Sequence, residues 1–136
     1  MQIGTIGVVG AGTMGNGIAQ TLAVAGYAVT MTDVAQSALD RALKTIDGSL
    51  DRLVKKEKIT VDQAATALKR LHVAESLERI EWSRIGLVIE AIYENLEAKQ
   101  DLCRKVEAQF HQGELLATNT SSIPLDALRT AVARPG

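Results

Sequence analysis

Apolar residues are spaced in two ways along the chain, and segments with one spacing alternate with segments that have the other. Short runs rich in β-branched residues predict strands, and stretches with apolar residues every three or four positions predict helices between them. The strands are predicted at residues 3–9, 28–32, 71–74, 84–91 and 114–118. Because strands that alternate with helices form parallel sheets covered by helices on both faces, the fold class is α/β.

The connection between the second and third strands is unusually long. Its apolar stripe alternates spacings of four and three and consists of Leu39, Leu43, Ile46, Leu50 and Leu53. This helix is predicted to reach about Glu57, and a second helix is predicted from Thr60, which with Gln63 fits a capping box. A plain crossover needs only about a dozen residues, so residues 34–71 indicate an inserted helical hairpin. Its charged tip fits either a functional insertion or an ordinary solvated surface.

Two more helices are predicted towards the end of the chain. The helix after the fourth strand carries one apolar face, made of Leu96, Leu102, Cys103, Val106 and Phe110. The last helix is predicted at 124–132, since Pro124 suits a first helical turn. Residues 75–83 are predicted to form a turn or a short helix.

The first predicted strand leads into a glycine-rich turn that opens a helix. Residues 10–15 fit the pattern G-x-G-x-x-G. Gly10 permits a tight turn, Gly12 lets the backbone approach a pyrophosphate, and Gly15 lets the helix pack closely on the strand. The helix N-terminus then offers N–H groups and a positive dipole end to phosphates, and Gly26 predicts its end.

The surroundings of this motif make a dinucleotide site more probable than an ordinary strand, turn and helix. The second strand ends in Asp33, which lies 18 residues after Gly15, where the dinucleotide fingerprint needs a carboxylate for ribose hydroxyls. Asp33 favours NAD over NADP, because no arginine follows at 34–36 to receive a 2′-phosphate. By analogy with dinucleotide-binding folds, the expected strand order is 3-2-1-4-5, with ligands at the carboxyl ends of the strands.

Composition narrows the choice of function. The chain has 136 residues, 46% of them apolar, and a net charge of −1, which predicts one domain and gives no reason to expect nucleic-acid or membrane binding. No apolar run is long enough to span a bilayer, and a cytoplasmic location is expected by default. The single cysteine, Cys103, cannot form an internal disulfide and is predicted to be a buried thiol. No metal site is expected.

Taken together, several stretches resemble the NAD-binding domain of L-3-hydroxyacyl-CoA dehydrogenases, including bacterial 3-hydroxybutyryl-CoA dehydrogenases. The matching stretches are residues 7–20, Asp33, 49–56, 90–99 and 119–122. The resemblance implies a Rossmann-type domain over residues 1–136. It also implies reversible, NAD-dependent oxidation of (S)-3-hydroxyacyl-CoA to 3-oxoacyl-CoA in fatty-acid β-oxidation, with 3-hydroxybutyryl-CoA as the expected substrate.

The resemblance further implies roles for individual residues around the cofactor. The residues that would hold the pyrophosphate are Gly10, Gly12, Thr13, Met14 and Gly15. Asp33 would bind the adenosine ribose, while Glu94, Lys99 and Asn119 would line the side of the nicotinamide ribose.

Three residues are implied to contact the substrate. Ser121 would hydrogen-bond the oxygen at C3, and Ser49 and Lys56 would hold coenzyme A near its 3′-phosphate. Because lysine binds phosphate as a point charge, this implication favours a functional reading of the inserted hairpin. The resemblance also implies a homodimeric parent enzyme with an acyl-CoA substrate.

The chain lacks several functional residues of the family pattern. The family's catalytic histidine, its glutamate partner and a substrate-binding asparagine follow the segment where this chain ends, the asparagine in a helical C-terminal domain. Neither His72 nor His111 matches that histidine, and both are predicted to lie on the surface. Thr118 stands where serine is usual. The chain alone is therefore expected to be inactive.

Two alternatives remain open on the sequence. One is the domain of another NAD(P)-dependent β-hydroxyacid dehydrogenase, since those enzymes share the G-x-G-x-M-G loop, although Asp33 and the hairpin speak against it. The other is a non-catalytic relative similar to λ-crystallin.

Overall fold

Five parallel strands form a single sheet in the computed structural model, which describes residues 4–33, 35–92, 95–109 and 115–118. The strands are β1 (Thr5–Val9), β2 (Val29–Thr32), β3 (Leu71–Ala74), β4 (Ile85–Glu90) and β5 (Leu115–Thr118). Their order is β3-β2-β1-β4-β5, and each neighbouring pair runs parallel. The predicted strand order is confirmed, and it puts the ends of β1, β2 and β4 at one edge.

Four helices connect the strands in the described part of the chain. They are α1 (Thr13–Ala25), α2 (Gln36–Lys55), α3 (Val61–Arg70) and α4 (Leu96–Gln109). The segment predicted as a turn or short helix contains two 3-10 turns, at Leu77–Arg79 and Trp82–Arg84. Gly26 ends α1 with a φ of +112°, as its position predicts. The helix expected at 124–132 lies outside the described residues.

The inserted hairpin is present, and it packs on α1. Thr60 caps α3 as predicted: its hydroxyl accepts the N–H of Gln63 at 3.1 Å, and the Gln63 side chain accepts the N–H of Thr60 at 2.8 Å. The Arg70 guanidinium donates to the carbonyl oxygen of Ala23 at 2.9 Å, which joins the end of α3 to the end of α1. The capping box therefore stabilises the start of α3, and the Arg70 bond attaches the other end of α3 to α1.

Two apolar clusters cover the two faces of the sheet. The larger one joins strands β1 and β2 to α1, α2 and α3, with Ile6, Val8, Val29, Met31, Leu39, Ile46 and Leu50 fully buried. The smaller one packs Val9, Ile85 and Val88 against Leu102 and Val106 of α4. Helices thus lie on both faces, as the alternating pattern predicts.

Two single-residue predictions are also confirmed. Cys103 is buried on α4, and burial is the main reason that the pKa of its thiol is raised above the usual range, with the nearby Glu90 carboxylate adding to the shift. A thiol that is hard to deprotonate is a poor nucleophile. His72 lies exposed on β3, whereas His111 lies outside the described residues. None of the helices of the described ranges is long and apolar enough to cross a membrane.

The turn that ends α2 places Glu57 in the left-handed region, at a φ of +59°. The N–H of Glu57 bonds the carbonyl of Val54 at 3.0 Å, and the N–H of Lys58 bonds that of Leu53 at 2.9 Å. This is the Schellman pattern, in which glycine is preferred at the position that Glu57 occupies. We expect Glu57→Gly to raise the free energy of unfolding by about 0.5–1 kcal/mol, because it relieves the left-handed strain. Urea denaturation measures the change.

The neighbouring Lys55→Gly variant is the control. Lys55 is exposed in the last helical turn, so glycine there should lower the free energy of unfolding by up to about 1 kcal/mol. If Glu57→Gly is no more stable than the unchanged chain, the strain at this turn is smaller than its backbone geometry indicates.

Candidate active site

The glycine turn after β1 has no room for side chains at two of its positions. Gly10 has a φ of +107°, and a Cβ atom there would lie 2.5 Å from the carbonyl oxygen of Ala91. A Cβ atom on Gly15 would overlap the carbonyl oxygen of Gly10. Gly15 therefore lets the start of α1 lie against the turn, as the motif predicts, and Gly10 lets Ala91, the residue after β4, lie against it from the other side.

Gly12 is different, because no atom of the described residues, apart from its chain neighbours, lies within 4 Å of the position that its Cβ would take. It is the N-cap of α1 and has no side chain that could occupy the helix N-terminus. Thr13 and Met14, the first two helical residues, are exposed. The turn thus leaves open space directly beside backbone N–H groups at the positive end of a helix dipole, which is a suitable place for a pyrophosphate.

Asp33, at the end of β2, lies against the same turn. One carboxylate oxygen accepts the N–H of Ala11 at 2.8 Å, and the other accepts the N–H of Ala35 at 3.1 Å. The turn is also tied to β2 by the N–H of Gly10, which donates to the carbonyl of Thr32 at 2.9 Å. Each carboxylate oxygen has a second lone pair, so Asp33 keeps acceptor capacity for ribose hydroxyls while it holds the turn.

Lys99 lies in the first turn of α4. Its side chain is fully buried, and its ammonium donates to the two carboxylate oxygens of Glu90 at 2.8 and 2.7 Å. A buried ammonium needs such a partner, because an unpaired charge without water is costly. The predicted role of Lys99 at the nicotinamide ribose stays a prediction.

Glu90, the partner of Lys99, was not predicted from the sequence. It is the last residue of β4 and fully buried. The available signal was a carboxylate that ends an apolar strand, with a lysine nine residues later in the first turns of the next helix. Three other predicted site residues, Glu94, Asn119 and Ser121, lie outside the described residues, and their roles stay predictions.

The two residues predicted to bind coenzyme A lie on the hairpin. Ser49 is half-buried on α2, and Lys56 is exposed at the C-cap of that helix. Seven positions correspond to nearly two full turns, so both residues lie on the same side of the helix, roughly 10 Å apart along its axis. The cations that surround Lys56 are also exposed: Arg52, Lys55 and Lys58.

One face of α1 beside the glycine turn is an open, largely apolar surface made of Thr13, Met14, Gly17, Ile18, Thr21 and Leu22. Met14 is 58% exposed there although it is large and apolar. The helical period of α1 predicts its buried side but not the apolar character of this face.

Comparisons with known proteins agree with this geometry. The family profile described as "3-hydroxyacyl-CoA dehydrogenase, NAD binding domain" matches residues 5–136. The chain is 43% identical, over 95% of its length, to a probable 3-hydroxybutyryl-CoA dehydrogenase of Deinococcus radiodurans, and 38% identical, over 99% of its length, to one of Bacillus subtilis. It spans 45% and 46% of the lengths of those two proteins.

A solved structure is also similar to nearly the whole of this chain. The crystal structure of (S)-3-hydroxybutyryl-CoA dehydrogenase from Ralstonia eutropha matches with a TM-score of 0.92 and 40% identity, over 98% of this chain and 47% of that one. The family match favours this class of dehydrogenase over the other β-hydroxyacid dehydrogenases that share the glycine loop. The chain belongs to the family of 3-hydroxyacyl-CoA dehydrogenases, as their NAD-binding domain, and its cofactor is NAD.

Proposed function

We propose that this chain is the cofactor half of an (S)-3-hydroxyacyl-CoA dehydrogenase, and that 3-hydroxybutyryl-CoA is the substrate of the complete enzyme. One observation carries the proposal within the family: the turn of Gly10 to Gly15 stands open at Gly12 and is held by Asp33. That arrangement offers hydrogen-bond donors to phosphates and an acceptor to ribose at one edge of the sheet.

The proposed role of the described residues is to position the cofactor. The N–H groups at the start of α1 bind the pyrophosphate, with Thr13 and Met14 exposed beside it. Asp33 accepts from the hydroxyls of the adenosine ribose and at the same time orients the turn through the N–H of Ala11. Holding a cofactor in one geometry lowers the barrier of a transfer step by removing translational and rotational freedom beforehand.

The substrate end of the proposed reaction rests on residues outside the described ranges. The chemistry that NAD would supply when bound is the acceptance of a hydride from the substrate carbon that bears the hydroxyl group. Glu94 and Asn119 are proposed to bind the nicotinamide ribose, and Ser121 to hydrogen-bond the substrate oxygen. Neither histidine of the sequence matches the base of the family, so we propose that proton transfer depends on residues of the complete enzyme.

The hairpin is the proposed site for the coenzyme A portion. Lys56 and the exposed cations around it form a basic tip on an element that a simple crossover would not need. A phosphate-rich ligand fits such a surface through point-charge contacts. A cytoplasmic location and a homodimeric parent enzyme stay predictions.

The cofactor preference can be tested on the chain alone. We expect it to bind NADH more tightly than NADPH, because the Asp33 carboxylate would repel a 2′-phosphate. Asp33→Ala should weaken NADH binding by roughly 1–3 kcal/mol, since it removes a charged acceptor and leaves the N–H of Ala11 unpaired. Isothermal titration calorimetry measures both quantities.

Asp40→Ala is the matched control, because Asp40 is an exposed aspartate on α2 and bonds only the side chain of Gln36 among the contacts described. It should bind NADH as the unchanged chain does. Equal or tighter binding of NADPH by the unchanged chain would contradict the proposed role of Asp33.

The coenzyme A site is tested in the complete enzyme. Lys56→Glu should raise the KM for acetoacetyl-CoA by roughly twofold to fivefold, the scale of an exposed charge contact, and leave NADH binding unchanged. The effect should shrink as salt is added, because exposed charges are screened. Steady-state kinetics at low and high salt measure it.

Lys44→Glu provides the control for net charge, since Lys44 is an exposed lysine on the same helix but outside the tip. If both variants raise the KM equally, the effect is a general repulsion. If neither does at low salt, the tip is an ordinary solvated surface.

A further inference from the structure

Among the described residues, a single sulfur-bearing side chain is exposed to solvent, and it stands beside the glycine turn. The sequence has three methionines and one cysteine. Met31 on β2 has no accessible surface, and Cys103 on α4 is buried. Met14 is 58% exposed, although methionine is a residue type that usually lies in a core. Met1 lies outside the described residues. An oxidant in solution can therefore reach the thioether of Met14 without any opening of the fold.

The other two described sulfur atoms are protected from oxidation for different reasons. Cysteine reacts with peroxide as the thiolate, and burial is the main reason that the pKa of the Cys103 thiol is raised, so its thiolate is scarce. The Met31 thioether is packed inside the larger apolar cluster and is reached only when the fold opens. Oxidation of the described residues by peroxide should therefore be selective for Met14.

Met14 lies at the part of α1 that faces the proposed pyrophosphate. The N–H of Asn16 donates to the carbonyl of Gly12 at 2.9 Å, which is the first backbone hydrogen bond of the helix. The N–H groups of residues 13–15 therefore have no acceptor within the helix, and in the proposed function they bind phosphate oxygens. The side chain of Met14 leaves the backbone among these donors, two residues from the open position at Gly12.

A sulfoxide at this position would oppose the binding of an anion. Its oxygen carries a partial negative charge and accepts hydrogen bonds, so it repels phosphate oxygens and competes with them for the N–H groups at the start of α1. Oxidation also turns a flexible apolar side chain into a polar one. The fold should tolerate the change, because the Met14 side chain is largely in water already. The expected effect is therefore on cofactor affinity and not on stability.

We propose that Met14 is an oxidation site: hydrogen peroxide converts its thioether to the sulfoxide, and the sulfoxide weakens the binding of NAD at the glycine turn. In this step the sulfur gives up two electrons and gains one oxygen, the O–O bond breaks, and the other oxygen leaves as water. Two thiols reverse the step, because they reduce the sulfoxide to the thioether and form a disulfide and water. The inference rests on the proposed function, which places the dinucleotide at this turn.

The first part of the test locates the oxidation. The 136-residue chain is treated with hydrogen peroxide for increasing times, and peptide mass spectrometry follows each methionine. Met14 should be oxidised roughly tenfold or more faster than the buried Met31, which is the internal control. Saturating NAD should slow the oxidation of Met14 by at least about threefold, because the bound cofactor would cover the thioether. Adenosine, which lacks the phosphates, should protect Met14 less than NAD does.

The second part measures the consequence for binding after the peroxide is removed. The oxidised chain should have a Kd for NADH raised roughly threefold to tenfold in calorimetric titration, the scale of one lost hydrogen bond. Its melting temperature in circular dichroism should stay near that of the untreated chain. Methionine sulfoxide reductase with a thiol reductant should restore the affinity. Met14→Leu is the matched variant: leucine has no sulfur to oxidise, so peroxide should leave the affinity of this variant at its value before treatment.

Four results would overturn the proposal. The first is oxidation of Met14 no faster than that of Met31. The second is an oxidised chain that binds NADH with unchanged affinity. The third is an equal loss of affinity when Met14→Leu is treated, since another residue would then be responsible. The fourth is an oxidised chain that melts well below the untreated one, because the loss of binding would then follow from unfolding. If the untreated chain binds no NADH, the proposed function fails and this inference fails with it.

Discussion

The close approach of Gly15 to the carbonyl oxygen of Gly10 is the contact on which the cofactor edge of this domain depends. A side chain on Gly15 would have to occupy the place of that carbonyl, so the start of α1 can lie against the turn only because no Cβ is present. Gly10 meets Ala91 in the same way on its other side. The turn is therefore packed between a helix and the end of a strand, while the space at Gly12 stays open.

Hydrogen bonds from two carboxylates also hold the backbone at this edge of the sheet. Asp33 ties the turn to β2 through the N–H of Ala11, and Glu90 ties the crossover after β4 through the N–H of Ile92. The two carboxylates stand at the ends of strands that flank β1, so each controls the backbone on one side of the turn. One carboxylate keeps lone pairs for a ligand, whereas the other is buried with Lys99. This difference in burial supports the proposed ligand contact of Asp33, because only a carboxylate with accessible surface can accept from a ribose hydroxyl.

Local rules explain why much of the fold could be predicted from the sequence. The glycine at the end of α1 and the Thr60 capping box follow from short patterns whose chemistry is contained within a few residues. The strand order was predicted by analogy with dinucleotide-binding folds, and the glycine motif gave the reason for that analogy. The orientation of Lys99 could not be predicted this way, because a lysine in the first turn of a helix is usually solvated and its partner belongs to the preceding strand. The hydrogen bond from the Ala11 N–H to Asp33 joins residues 22 positions apart, so no short sequence pattern could predict it. At the end of α2, Glu57 takes a left-handed conformation that its sequence gives no sign of.

Binding of pyrophosphate in the open space beside Gly12 is the feature on which the proposed function rests, and the Gly12→Ala variant examines that space alone. The backbone of Gly12, at φ −77° and ψ −166°, is extended and suits alanine, and a Cβ there would lie within 4 Å of no atom of the described residues beyond its chain neighbours. The account predicts that Gly12→Ala melts like the unchanged chain but has a Kd for NADH raised at least about tenfold in calorimetric titration, because the methyl group fills the phosphate position. A variant that folds normally and binds NADH with unchanged affinity would contradict the account.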